Sequence, residues 1–380
     1  MGQIINVNGV IKAKKILVRA PNWVGDVVMA TPSFRCIREN FRDSHITLLI
    51  KKNLSRIISG SPWFDEVIKL EPLRKKDTYR FLPLPQKVFN GSIKSYLSLI
   101  RKLRQERFDL GLLFPNSFSS AFTVWLSGVR KRVGYRRDTR SLLLTDSIDR
   151  LSENGKFRPT YMADYYLRLC TQIGCKVNSK ELGLFITGES EDVTNKLFKK
   201  YNIDKKPFIL INPGASYGSS KCWTAEGFAR TADMLTDIID CNIVLTCGPG
   251  ETKLVDEIEK FTKKSLINLS KESISLDILK VLVKRCMLLL TVDSGPRHFA
   301  VALKQPVVVL MGPTDPRYTE SEYEIGKVIR EDVDCSPCHL KTCPTDHRCM
   351  TMISPERVVE ACMDLLEIKK DERFSIGLPH

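Results

Sequence analysis

Two successive series of short apolar runs, each closing on a polar or glycine-bearing turn and leading into an amphipathic stretch, constrain this chain more than any other feature. In the first half KKILVRA, HITLLIKK, FDEVIKL and FDLGLLF read as strands, with helical patterns such as PSFRCIRENF and SIKSYLSLIRKLRQE between them. After a polar interval at about 178–206 the alternation restarts with FILINPG and continues through NIVLTCGPG, SLINLS, MLLLTVDSG and PVVVLMGP, separated by helices such as TAEGFARTADMLTDI. Strands alternating with helices imply an α/β fold built on parallel sheets. In such sheets ligands collect outside the carboxyl ends of the strands, so the loops there are where chemistry is expected.

A chain of 380 residues exceeds what one hydrophobic core ordinarily supports. We therefore expect two domains, 1–185 and 186–353, followed by a terminal helix at 354–380 that packs back across the junction. Ser354 reads as its N-cap, with Pro355 at the first helical position. The net charge of +15 is uneven: residues 1–180 carry 33 Lys+Arg against 14 Asp+Glu, and the remainder 26 against 30. The first half should meet something acidic, either nucleic acid or an anionic membrane. Its basic runs lie at 74–76, 101–107 and 130–140, and only Tyr79, Phe81 and Tyr135 come near them, too few aromatics for a nucleic-acid platform. No apolar run is long enough to span a bilayer and the opening residues lack an export signal, so the expectation is a cytoplasmic protein.

Three loops carry candidate chemistry. DSGPRHFA follows an apolar run, and either Asp293 simply caps the helix at a glycine turn or that helix offers unpaired amides to a diphosphate at Ser294 and Gly295, with His298 in the first turn. NPGASYGSSKCW either supplies glycines for close backbone approach and Lys221 as a point charge or is a polar surface loop with a solvated lysine, and no GK[ST] makes it a Walker loop. NWVGD places Asp26 where it either caps a helix or projects as a general base. GPGE adds Glu251, a partner for a ribose hydroxyl or a simple helix start, and no G-x-G-x-x-G supports a nicotinamide enzyme.

Together NWVGD, FPNSFSSA, RVGYR, NPGASYGSSKCW and VDSGPRH resemble glycosyltransferase family 9, and within it the lipopolysaccharide heptosyltransferase II branch, in order over residues 15 to about 365. The resemblance implies a GT-B architecture of two Rossmann-like doubly wound domains facing across a cleft. It implies an inverting transferase without a catalytic metal, taking ADP-heptose on the C-terminal domain and an anionic lipid A-core acceptor on the N-terminal one, at the inner membrane leaflet. Asp26 then matches the catalytic base, and Ser216, Tyr217, Lys221, Glu251, Asp293, Ser294, Gly295 and His298 the donor site. Arg132, Arg136 and Asn116 match the acceptor side. KCWT stands where relatives often carry Lys-Arg-Trp-Pro, and other family members act on other core or surface-glycan sugars. The segment from Cys335 to Cys349 holds Cys335, Cys338, Cys343 and Cys349, which read as a structural zinc knot, as redox-active thiols or as packing, without a catalytic role.

Overall fold

The computed structural model describes residues 6–7, 10–71, 93–153 and 156–375, so the basic run at 74–76 and the aromatics Tyr79 and Phe81 lie outside the described residues. The chain divides into two compact units, Met1–Leu182 and Gly183–His380.

The first unit holds a six-stranded sheet of β1 (Lys15–Arg19), β2 (His45–Lys51), β3 (Glu66–Leu70), β4 (Leu110–Leu113), β5 (Lys131–Tyr135) and β6 (Asp146–Ile148). The second repeats the plan with β7 (Phe208–Asn212), β8 (Asn242–Leu245), β9 (Ile267–Asn268), β10 (Leu288–Val292), β11 (Val307–Leu310) and β12 (Gly326–Ile329). Every neighbour pair is parallel, in spatial orders β3-β2-β1-β4-β5-β6 and β9-β8-β7-β10-β11-β12. Each order reverses beside its first strand, and that reversal opens a ligand crevice between β1 and β4 in one unit and between β7 and β10 in the other. The central strands are continuous apolar runs because helices cover both faces: β4, β7, β10 and β11 are buried at every residue.

The helices are α1 (Val24–Met29), α2 (Thr31–Asn40), α3 (Ile93–Glu106), α4 (Phe118–Leu126) and α5 (Met162–Gln172) in the first unit. The second carries α6 (Gly188–Tyr201), α7 (Ala225–Ile238), α8 (Thr252–Phe261), α9 (Leu276–Arg285), α10 (Gly295–Leu303), the short α11 (Arg348–Thr351) and α12 (Pro355–Ser375). Helix α12 starts as its sequence suggested, with the Ser354 hydroxyl accepting the Arg357 amide, and it packs on α7, β10, β11 and β12 of its own unit.

Several elements differ from the reading of the sequence. KRVGY is a buried strand although its first residues are basic, β6 and β12 are further strands, and the polar interval at 178–206 contains α6 behind a Thr187/Ser190 capping box. Asp26 does not cap α1. Trp23 holds the N-cap position without a side-chain hydrogen bond, and Asp26 lies inside the first turn.

Candidate active site

In the first unit the chain leaves β1 through a turn braced by Arg19, which is buried and donates to the carbonyl of Ala20 at 2.6 Å and to Asn22 Oδ1 at 2.7 Å. Burial pushes its guanidinium down to about 10, which leaves it charged at neutral pH. The turn delivers the half-buried Asp26 to the β1 side of the crevice, where Tyr166 of α5 donates its hydroxyl to Asp26 Oδ1 at 2.9 Å. Burial first, and then the Asp26 carboxylate, raise the Tyr166 phenol well above its ordinary value, so it remains a donor.

On the β4 side, Asn116 donates to the Tyr165 hydroxyl at 2.9 Å, and Tyr165 stacks on Tyr135 with centroids 3.9 Å apart. Phe114 joins the cluster 5.5 Å from Tyr166, and the fully buried Arg140 donates to the carbonyl of Pro115. Asp26 and Asn116 are thus linked through adjacent tyrosines of one helix. Arg132 and Arg136, expected on the acceptor side, do not share this crevice equally. Arg132 sits at the amino end of β5, away from the ligand edge, and donates to the carbonyls of Leu143 and Val129, both at 2.6 Å. Arg136 lies just beyond the carboxyl end of β5, exposed and paired with Asp149 at 3.3 Å.

In the second unit the loops after β7 and β10 meet through charge. Lys221 donates to both the backbone oxygen and Oδ2 of Asp293 at 2.7 Å. Asp293 also accepts from Thr314 at 2.7 Å and from Arg297 at 3.1 Å, and Arg297 continues to Glu324 at 2.8 Å. Burial alone would raise the Asp293 pKa, but Lys221 and Arg297 outweigh it and hold the carboxyl well below the usual carboxylate range. An ammonium has three donors, so Lys221 keeps one for a further anion after its two bonds to Asp293. Tyr217 lies under its head at 5.1 Å, Ser216 is exposed beside it, and the Ser294–Gly295 turn opens α10 without a side-chain cap.

Glu251 accepts the Gly248 amide at 2.7 Å, and a Cβ on Gly214 would stand 2.0 Å from its carboxylate, so this side chain occupies the space that a glycine leaves open after β7. Its pKa is raised by burial and only partly restored by the Gly248 amide. His298 departs from expectation. It is only 3% exposed, and burial, reinforced by Arg297, pushes it down to about 3, so it is neutral and offers at most a hydrogen bond.

Residues 96–348 match glycosyltransferase family 9 (heptosyltransferase). The chain belongs to glycosyltransferase family 9. It is 28% identical over 361 residues to the lipooligosaccharide heptosyltransferase 2 of Campylobacter jejuni serotype O:2, covering 93% of this chain and 98% of that one. Among solved structures it resembles the family 9 glycosyl transferase of Veillonella parvula (TM-score 0.76, 22% identity, 93% and 97% of the two chains). It also resembles the E. coli ADP-heptose lps heptosyltransferase II (TM-score 0.73, 26% identity, 94% and 99%). These likenesses run through both units, and the two-domain GT-B fold is shared with them.

Within this family 9 fold the cysteine segment takes a place that its sequence did not reveal. It lies over the Lys221 loop: Ser220 donates to the carbonyls of Leu340 and, through its amide, Lys341, Tyr217 donates to the carbonyl of His339 at 2.6 Å, and His347 Nε2 lies 2.6 Å from the Ser220 carbonyl. Cys335, Cys338, Cys343, Cys349 and His347 line one small cavity. All four cysteines are free thiols, and among the described residues no group of three or more His, Cys, Asp or Glu side chains is placed to hold a metal ion. Thr224 proves to be the N-cap of α7, accepting the Gly227 amide at 3.1 Å. Sequence reasoning missed Tyr166, Arg140, Arg297, Thr314 and Glu324. Only Arg297 left a local signal, its spacing of four from Asp293.

Proposed function

We propose that this enzyme transfers a heptose from ADP-heptose to the inner core of lipopolysaccharide, with inversion at the anomeric carbon. The observation that supports it best is the near full-length match to heptosyltransferases, combined with a carboxylate at the switch point of one sheet and a paired lysine at that of the other. In this reading the acceptor hydroxyl lies against Asp26, whose carboxylate takes its proton as the bond to C1 forms. Such base catalysis contributes about 10²–10⁴-fold. The departing diphosphate meets the remaining N–H of Lys221, the hydroxyl of Ser216 and the amides at Ser294 and Gly295, while Tyr217, whose hydroxyl is spent on the His339 carbonyl, lays its ring beside the lysine head and Glu251 takes a ribose hydroxyl. Asp293 works from beneath, holding Lys221 in place. Asn116 and Arg136 face the acceptor, whereas Arg132, occupied by the carbonyls of Val129 and Leu143, serves the fold.

On this reading residues 1–185 bind the acceptor and 186–353 the donor. The lipid A-core acceptor brings the enzyme to the inner leaflet, where the exposed cations of α3, Arg101 and Arg104 among them, face anionic headgroups. No helix among the described residues is long and apolar enough to cross a membrane. Catalysis in this scheme uses no cofactor, and the four cysteines act structurally; metal analysis of purified protein, with alkylation of the thiols, decides whether they take an ion. The experiment that tests the function is a donor screen: ADP-heptose, UDP-sugars and GDP-sugars are each incubated with a lipid A-core acceptor and the released nucleotide is identified. Release of UDP or GDP in place of ADP would overturn the donor. ADP release only with a different glycan acceptor would instead favour the second reading, a family 9 transferase of another core or surface sugar.

A further inference from the structure

We propose that Tyr166 is a positioning residue for the catalytic base, fixing the direction of the Asp26 carboxylate and keeping it ionised. The inference rests on Asp26 being the base. Asp26 is not the cap of its helix, so its side chain is not fixed by that role. Among the groups that reach it is a hydroxyl 140 positions later in the chain, 2.9 Å from Oδ1. Tyr166 itself is 4% exposed, wedged between Phe114 at 5.5 Å and Tyr165 at 5.7 Å on a helix that packs against α1 and α2. A phenol so enclosed has little rotational freedom, and it does not ionise at any pH where the enzyme works. It is therefore a permanent donor aimed at a carboxylate.

A hydrogen bond donated to the charged form of an acid favours that form. It also leaves acceptor capacity, since an ionised carboxylate offers about four lone-pair sites. The arrangement thus meets two needs of a base that must be deprotonated before the acceptor arrives and must point one way when it does. The same helix turn carries Tyr165, whose hydroxyl accepts from Asn116, so consecutive tyrosines tie the β1 and β4 sides of the crevice to a single element.

Tyr166→Phe removes one oxygen and keeps the ring. Turnover should fall about 10-fold or more, with the KM for ADP-heptose unchanged. The acid limb of the pH profile of kcat/KM should move up by about one unit, because Asp26 is then easier to protonate. The position of that limb does not depend on the amount of folded protein, so the test survives a loss of stability. A fall in turnover with the limb unmoved would show a packing role and overturn the proposal, as would turnover within a few-fold of wild type. Asp26→Asn separates the two readings. If it retains turnover, Asp26 is not the base and both fall. If it abolishes turnover while Tyr166→Phe changes neither rate nor limb, only the positioning role fails. In the Asp26→Asn background Tyr166→Phe should cost nothing further, since coupled residues do not add.

Discussion

His298 joins a stability statement to a chemical one. Its folded-state pKa of about 3 lies below the ordinary 6.5, so between these values the unfolded chain binds a proton that the folded chain does not. Stability therefore rises with pH across that window and is lost as pH falls from about 6.5, by about 1.4 kcal/mol per unit for this one group. Chemical unfolding at pH 7 and pH 5 should show the gap between wild type and His298→Gln narrowing by about 2 kcal/mol at the lower pH. A gap independent of pH would mean that the imidazole is not held neutral. Asp26 makes the opposite contrast, because an asparagine in its place keeps an oxygen for the buried Tyr166 hydroxyl and loses only the charge. Asp26→Asn should melt within a degree or two of wild type while turnover falls about 10²–10⁴-fold. Asp26, Lys221 and Asp293 were legible because each lies in the strand-to-helix segment that follows an apolar run. Tyr166 and Arg140 were not, because their partners are set by helix packing and leave no local spacing to read.

Between residue and domain, the loop from Gly214 to Lys221 shows how an element is held from two sides. A methyl at Gly214 meets the end of the Glu251 side chain at 2.0 Å, a group that can swing aside. A methyl at Gly218 meets the backbone carbonyl of Lys341 at 2.1 Å, which cannot move without parting the loop from the cysteine segment. Gly214→Ala should thus weaken nucleotide binding with the melting temperature almost unchanged, whereas Gly218→Ala should lower both. Calorimetric titration with ADP beside thermal melts separates the two, and equal melting temperatures would deny the clamp. The strands and helices with strong periodicity appeared where their pattern put them. Among those that escaped notice are β5, which opens on Lys131 and Arg132, the edge strands β6 and β12, and α6, whose surface is mostly charged. In each, charged or polar residues mask a buried face too small to establish a period.

At the scale of the whole molecule, two sheets of identical strand order place one crevice in each unit, and the net positive charge gathers in the first. If donor binding is confined to the second unit, Lys221→Ala should weaken ADP binding and lower turnover, while Lys260→Ala, on the exposed side of α8, should do neither. The first substitution should also cost stability, since the buried Asp293 loses one of its two cationic partners. Calorimetry well below the melting temperature isolates the binding effect, and equal ADP affinity for both variants would remove Lys221 from the donor site.

Every hydrogen bond named at either crevice closes within its own unit, Asp26 to Tyr166 on one side of the seam at Leu182–Gly183 and Lys221 to Asp293 on the other. If the proposed assignment holds, such self-sufficiency lets substitutions in the first crevice change the sugar that is extended while the nucleotide that is recognised stays the same.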